Sequence, residues 1–419
     1  MTARPEATDP RHDALTRRAF AALDRLAGDL PGGFGIALSG GGDSVALLHL
    51  AHRWAAARGV PLAAASVDHG LRPGSAAEAA MAGAQAQRLG IPHRVLNWSG
   101  GEATGNLMGN ARKARLALLA DWAASQGLAA VATGHTRDDV AETLLMRLSR
   151  GAGIDGLARM AERRQDRGVI WLRPLLDLGR DELRDWLRGI GVTWIEDPSN
   201  SDPRFHRARL RLAMGQLGLD PAMLALSARH LAAARDALDA GLTGIADSAL
   251  TRAGSLLLDR DALDALPPEQ RRRLLLAGLR FVTGADYPPR RAAVEHALAK
   301  LAQNRRATLG GAVLDPAHML LIHREPAAAA RVTAQHPTLD WDRRWRLSGL
   351  LPGDVVGPLG PDAHRFDWRA AGLTHLEAQA LPAIRRGDDL FAPSLAPAPG
   401  LTAAPLRELT DFRRILLGH

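Results

Sequence analysis

Phe34-Gly35-Ile36-Ala37-Leu38-Ser39-Gly40-Gly41-Gly42-Asp43-Ser44 passes from a short apolar run directly into three glycines, an acid and a serine. Phe34–Leu38 reads as a buried strand, and apolar positions recur at helical period from Asp43 to Arg58. Glycines at a strand-to-helix junction let the backbone approach a ligand and turn its N–H groups inward. The helix N-terminus adds partial positive charge, and the hydroxyls of Ser39 and Ser44 add donors. The stretch therefore predicts a phosphate site. It is not a Walker loop, because neither lysine of the chain, Lys113 or Lys300, follows a glycine. It is not a dinucleotide fingerprint either, since counting from Gly40 puts Val45 where the third glycine belongs.

Outward from this loop, strands and helices alternate. Leu62–Val67, His93–Leu96 and Ala129–Thr133 read as strands; Ser75–Leu89, Asn106–Gln126 and Asp138–Arg150 read as helices. Gly59, Gly90 and Gly127 fall just past three helix ends, where a left-handed cap favours glycine. The pattern predicts an α/β domain with a parallel sheet covered on both faces. Beyond Arg150 the expected elements are a strand at Val169–Leu172 and a helix at Arg180–Gly189 with Leu183, Trp186 and Leu187 on one face. Residues 220–300 are rich in Ala, Leu and Arg at helical period and read as a helical domain. From Val332 onward, Pro and Gly punctuate short apolar runs, as in a small α+β domain, with Ala327–Arg331 and His336–Pro337 as the linker. The expected boundaries are 1–215, 216–330 and 331–419.

The 419 residues exceed one ordinary core, and 46% hydrophobic with 23% charged residues is a globular balance. No apolar h-region accompanies the early arginines and no stretch approaches a membrane span, so a cytoplasmic protein is expected. The chain has no cysteine, which excludes disulfides, thiolate metal sites and sulfur carried on a protein thiol. Its formal net charge of +8 suits a polyanionic partner.

The Ser39–Ser44 string resembles the PP-loop of ATP pyrophosphatases, of the adenine nucleotide alpha hydrolase (Rossmann-like) fold type. Further strings resemble one branch, the tRNA(Ile)-lysidine synthetase family. They are Val67-Asp68-His69-Gly70-Leu71-Arg72, Asn110-Ala111-Arg112-Lys113-Ala114-Arg115, and Thr133-Gly134-His135-Thr136-Arg137-Asp138-Asp139-Val140-Ala141-Glu142-Thr143. Arg150-Gly151-Ala152-Gly153, Arg173-Pro174-Leu175-Leu176 and Glu196-Asp197-Pro198-Ser199-Asn200-Ser201-Asp202 follow in the family's order. Thr308-Leu309-Gly310-Gly311 and His323-Arg324-Glu325 are similar to its substrate domain, and Leu350-Leu351-Pro352-Gly353-Asp354 to its C-terminal module. Three positions depart from the family pattern: Thr136 replaces a second histidine, Leu116 a tyrosine and Ala208 an asparagine.

The resemblance implies an ATP-dependent, carbon–nitrogen bond-forming ligase. It would join L-lysine to C2 of the wobble cytidine in isoleucine tRNA with a CAU anticodon, releasing AMP and pyrophosphate. No obligate protein partner is implied. Ser39, Gly40, Gly41, Gly42, Asp43, Ser44, Asp68 and His69 would bind ATP, with Asp43 and Asp138 or Asp139 holding Mg²⁺. Asp139 and Glu142, three apart on one helix face, would bind lysine. Asp43, Arg112, His135, Asp139, Glu142 and Arg209 would be catalytic, with Arg112 and Arg209 neutralising charge at the α-phosphate and base. Arg271–Arg273, Arg290-Arg291 and Arg305-Arg306 are candidate contacts to tRNA phosphates. Two readings compete: another PP-loop ligase or amidating synthetase acting on a small molecule, and a non-enzymatic ATP-sensing or RNA-binding module. The absent cysteines count against the thiol-dependent tRNA thiolases and against an internal glutaminase.

Overall fold

The computed structural model describes residues 10–70, 74–98, 107–196, 204, 206–285, 287–332 and 340–418. Leu71, Arg72, Asp197–Asp202 and the linker residues His336–Pro337 lie outside the described residues. The chain forms two compact units, one ending at Arg235 and one beginning at Asp236.

In the first unit α1 (Pro10–Ala27) precedes the strand–helix alternation. It continues as β1 (Phe34–Ala37), α2 (Gly42–Ala56), β2 (Leu62–Asp68), α3 (Ser75–Arg88), β3 (His93–Asn97), α4 (Leu107–Ser125), β4 (Ala130–Thr133) and α5 (Arg137–Leu148). After α6 (Ile154–Leu157) come β5 (Arg163–Asp166), β6 (Val169–Leu172), α7 (Arg180–Gly189), α8 (His206–Gln216) and α9 (Pro221–Ala240). The sheet order is β3-β2-β1-β4-β6-β5. Phe34 pairs with Leu62 on one side and Ala130 on the other, both in parallel register, and only the edge pair β5–β6 is antiparallel.

The central strands are buried on both faces, which is why β1 and β4 read as continuous apolar runs. Helices α1, α2, α3 and α7 cover one face through Leu23, Leu47, Ala82 and Trp186, with Phe34 and Ile36 beneath them. The other face carries α4 through Leu119 and Trp122, against Val131 and Trp171. Trp54, Trp122 and Trp186 are core residues, each at most 5% exposed. Gly59, Gly90 and Gly127 take φ of 65°, 69° and 66°, as their cap positions require. Leu116 packs on the α4 face of the sheet and Ala208 is buried.

The second unit contains the expected helices, among them Pro268–Thr283 and Arg291–Ala302, but they lie on a sheet the helical periodicity did not reveal. Its strands are β7 (Leu250–Arg252), β8 (Ser255–Asp259), β9 (Ala307–Leu309), β10 (Ala312–Pro316) and β11 (Met319–Arg324), in the antiparallel order β7-β8-β11-β10-β9. Gly310-Gly311 closes the β9–β10 hairpin. The C-terminal helix Leu409–Leu416 returns to this core, where Phe412 meets Phe281 edge-on at 5.9 Å.

Two three-stranded sheets complete the unit: β12 (Asp340–Trp341), β13 (Trp345–Ser348) and β17 (Thr402–Pro405), then β14 (Val355–Pro358), β15 (Pro382–Arg386) and β16 (Asp389–Phe391). Buried ion pairs join them to the five-stranded sheet. Arg324 donates to both oxygens of Asp342, at 2.9 and 2.7 Å, and Arg252 to Glu377 at 2.8 Å. Asp354, which ends the Leu-Leu-Pro-Gly-Asp string, accepts from the Leu351 amide and from two nitrogens of Arg386.

Among the arginines expected to contact tRNA, Arg271–Arg273 make bonds within the fold, and Arg291 and Arg306 form exposed surface pairs. Arg271 donates to the carbonyls of Asp264 and Leu266, Arg272 to Glu269, and Arg273 to Asp239 in a buried pair at 2.7 Å. Arg291 pairs with Glu295 and Arg306 with Asp315. Among the described residues, no helix is long and apolar enough to cross a membrane.

Candidate active site

The phosphate loop is braced from within. Ser44 Oγ donates to the Gly41 carbonyl at 2.9 Å and accepts from the Ser39 amide at 3.2 Å, and the two serine hydroxyls meet at 3.0 Å. Gly41 occupies the N-cap of α2 and no side chain caps the helix, so its first amides face no protein side-chain acceptor. The loop is also braced from outside. Ile195 N–H donates to Gly40 O at 2.9 Å, and Ile195 pairs with Gly41 as a parallel bridge. Gly40, at φ 83°, has no room for a side chain, because a Cβ there would stand 2.5 Å from Ile195. Gly134 is needed for a different reason: a Cβ would meet the backbone of Asp43 and Ser44 at 3.0 Å.

A cavity of about 430 Å³ opens above the loop at the C-terminal ends of β1, β2 and β4. Its volume suits a nucleotide-sized ligand. Of the residues expected to bind ATP, Ser39, Gly41, Gly42, Asp43, Ser44 and His69 line it, while Gly40 and Asp68 do not. Asp68 instead accepts from the Gly70 amide and from Ser75 Oγ at the start of α3. Of the expected catalytic residues, Asp43, His135 and Asp139 line the cavity, and Arg112, Glu142 and Arg209 do not. Arg112 and Arg209 are exposed, and Arg209 Nη1 donates to the Arg204 carbonyl at 3.0 Å. Asp138, the alternative Mg²⁺ candidate, accepts from the Arg180 amide at 2.8 Å through Oδ2 and does not line the cavity.

Thr136 sets the entry of α5. It forms a capping box with Asp139: the Thr136 amide and hydroxyl donate to Asp139 Oδ2 at 2.9 and 3.0 Å. That leaves Asp139 Oδ1 for the cavity side, where Arg180 stands at 3.4 Å and Arg207 at 3.7 Å. Glu142, one turn on, is fully buried. Its Oε1 accepts from Arg180 at 3.0 Å and from Arg211 at 2.6 Å, and Arg207 is 3.8 Å from its Oε2. Arg180 also donates to Asp43 Oδ2 at 3.2 Å, which joins the phosphate loop to the carboxylates of α5.

Electrostatics follow from this crowding. Burial raises the Asp43 carboxyl, and the neighbouring Asp139 charge adds to the rise while Arg180 opposes it. Burial also acts to raise Asp139, but Arg180, the Thr136 amide, His135 and Arg207 outweigh it and hold the carboxylate below its ordinary value. Burial works against the Arg180 cation, yet Asp139, Asp43 and Glu142 more than offset it and raise its pKa. His135 is pushed down to about 4, chiefly by burial; Asp139 pulls against the shift, while Arg173, Arg115 and Arg112 add to it. It is therefore a neutral imidazole at pH 7. Thr133 Oγ1 stands 2.8 Å from His135 Nδ1 and 3.3 Å from the Leu172 carbonyl, tying the imidazole to the end of β4.

Sequence reading passed over Arg180 and Arg211 as functional groups. A signal for Arg180 existed: it is a cation at the first position of α7, the helix end where the dipole favours acids. The segment Trp194-Ile195 carried no such signal, since its contact with the loop spans more than 150 positions of sequence.

A glycine-rich loop between the first strand and helix of a parallel sheet, opening on a cavity with paired carboxylates, defines a PP-loop nucleotide-binding protein. Residues 18–217 match the PP-loop domain family accordingly. More narrowly, the chain belongs to the tRNA(Ile)-lysidine synthase family. It is 45% identical to the tRNA(Ile)-lysidine synthase of Ruegeria pomeroyi, over 93% of this chain and 95% of the relative. It is 43% identical to that of Bradyrhizobium sp. (60% of this chain, 75% of the relative) and 42% identical to that of Rhodopseudomonas palustris (67% and 86%).

Proposed function

We propose that this protein ligates L-lysine to C2 of the wobble cytidine in isoleucine tRNA bearing a CAU anticodon, with ATP as the activating substrate. The observation that carries this reading is the single cavity in which the Ser39–Ser44 loop faces the Asp139 carboxylate and the arginines around Glu142. One end of that cavity suits phosphates. The other presents fixed positive and negative groups together, as a zwitterionic amino acid requires.

The C2 oxygen of a pyrimidine is a poor leaving group, so its transfer to the α-phosphorus of ATP, with loss of pyrophosphate, must come first. Attack of the lysine amine on C2 then expels AMP. The uncapped amides of α2 and the hydroxyls of Ser39 and Ser44 would hold the phosphates. Among the described residues Asp43 Oδ1 is buried without a hydrogen-bond partner, and with Asp139 it offers the hard oxygens Mg²⁺ prefers. When bound there, Mg²⁺ would neutralise phosphate charge. Free lysine has a pKa of about 10.4, so about one molecule in 2,500 is neutral at pH 7. Asp139 would orient its ammonium at the cavity wall, with Glu142 buried behind it holding Arg180 and Arg211 in place, and neutral His135 offers an acceptor nitrogen in the same cavity.

Arg112 and Arg209 are exposed and outside the cavity lining, which suits contacts with the tRNA loop better than contacts with ATP phosphates. An unstacked anticodon base can be splayed out to reach such a pocket. In this scheme residues 1–215 carry the chemistry, and 216–330 and 331–419 contribute tRNA binding.

The test supplies ATP, labelled lysine and a CAU-anticodon isoleucine tRNA. Lysine-dependent labelling of the tRNA with stoichiometric AMP release is expected. ATP turnover that requires a different acceptor, with no label in the tRNA, overturns the reading in favour of a small-molecule ligase.

A further inference from the structure

Arg180 opens α7, and its guanidinium reaches carboxylates carried by two other helices. Nε donates to Asp43 Oδ2 at 3.2 Å, Nη1 to Glu142 Oε1 at 3.0 Å, and Nη2 approaches Asp139 Oδ1 at 3.4 Å. Its own amide is anchored on Asp138 Oδ2 at 2.8 Å, and its side chain is only 12% exposed. These acids serve different reactants. Asp43 belongs to the phosphate loop on α2, whereas Asp139 and Glu142 belong to α5 and the lysine half of the cavity.

A guanidinium is planar and rigid, so its three donors move as one body. Charge arriving beside Asp43 changes the pull on Nε, and any tilt of the fork alters the bonds of Nη1 to Glu142 and Nη2 to Asp139. A lysine ammonium at position 180 would keep the charge but not the three directed contacts. Arg207 and Arg211 reinforce Glu142 from α8, so the α5 carboxylates stay paired when Arg180 shifts.

We propose that Arg180 is a positioning residue that couples the two half-sites, so that occupancy of the nucleotide loop sets the affinity for the amino acid. The inference rests on the reading that Asp139, backed by the buried Glu142, receives lysine. It goes beyond that reading by making nucleotide and lysine binding energetically linked through one side chain. The link acts on binding and needs neither tRNA nor turnover.

Lysine binding to the full chain is measured by calorimetry with magnesium, in the absence and presence of saturating α,β-methylene ATP, which cannot release pyrophosphate. For the native protein the lysine Kd is expected to differ at least about fivefold between the two conditions, the lower end of ordinary site-to-site coupling. Arg180→Lys is expected to bind both ligands with the difference reduced to within about twofold. Arg180→Ala should behave likewise if it folds, and Arg180→Lys decides the matter if it does not. A native Kd that ignores the analogue overturns the coupling, as does an Arg180→Lys variant that retains the native ratio. Loss of analogue binding in Arg180→Lys would make Arg180 a direct phosphate contact and also overturn it. A native protein that binds the analogue but no lysine under either condition removes the underlying lysine reading, and the coupling with it.

Discussion

Glu142 is a carboxylate with no exposed surface, held by Arg180 and Arg211 on one oxygen and approached by Arg207 on the other. Breaking a buried pair leaves uncompensated charge and costs about 3–5 kcal/mol. Glu142→Gln keeps the shape and removes the charge, so it is expected to lower the free energy of urea unfolding by about 3–5 kcal/mol. Lysine incorporation should fall by about two orders of magnitude or more, because the lost ion pairs also orient Arg180. An unchanged lysine KM in a stably folded variant would exclude Glu142 from the lysine site. His323 offers a pH test far along the chain. It is buried, and burial lowers its pKa from the ordinary 6.5, so the folded state resists a proton that the unfolded chain accepts. Its contribution is complete above pH 6.5 and is lost as pH falls below that value. Denaturant midpoints at pH 7.5 and 5.5 should therefore diverge less in His323→Gln than in the native protein. Equal divergence in both would show that His323 does not contribute to the slope.

At the scale of the element, α5 depends on Thr136, whose hydroxyl supplies both the N-cap of α5 and a hydrogen bond to Asp139 Oδ2. Thr136→Ala removes that hydroxyl and should cost about 1 kcal/mol of stability. The Asp139 carboxylate keeps the amide bond but loses its lateral support, so the lysine KM should rise several-fold while nucleotide affinity holds. A variant with native stability and native lysine KM would show that the cap is incidental. Strands β1–β4 and helices α2–α5 are legible because short apolar runs alternate with helical period and Gly59, Gly90 and Gly127 close α2, α3 and α4; α1, β5, α6 and α8 carry no such signal. Val169–Leu172 and Arg180–Gly189 occur at the residues expected. The hairpin β7–β8 was not legible: its strands are three and five residues long, and its turn uses Ala253 at φ 47° beside Gly254. A short strand inside an Ala/Leu/Arg-rich stretch carries no period that separates it from helix.

For the whole molecule, the formal net charge of +8 predicts attraction to tRNA. Yet Arg271, Arg272 and Arg273 bond within the fold, while Arg291 and Arg306 pair with Glu295 and Asp315 at the surface and stay exposed. The logarithm of tRNA affinity should still fall with the logarithm of salt, with a slope of about −3 or steeper, as for roughly four phosphate contacts. Filter binding across a salt series measures it. A slope near zero would remove the electrostatic account of tRNA recognition.

By itself the sequence determined the parallel sheet, the phosphate loop and the family, because these rest on local periodicity and contiguous strings such as Ser39–Ser44 and Thr133–Thr143. Only the tertiary structure decided how the charges are shared. Arg180 meets Asp43 across 137 positions and Glu142 across 38, Arg211 meets Glu142 across 69, and Ile195 braces Gly40 from another segment altogether. Spacing along the chain does not encode those contacts. They exist because helices α2, α5 and α7 bring their N-terminal turns together at one edge of the cavity, where three carboxylates can be held close only by a cation placed among them.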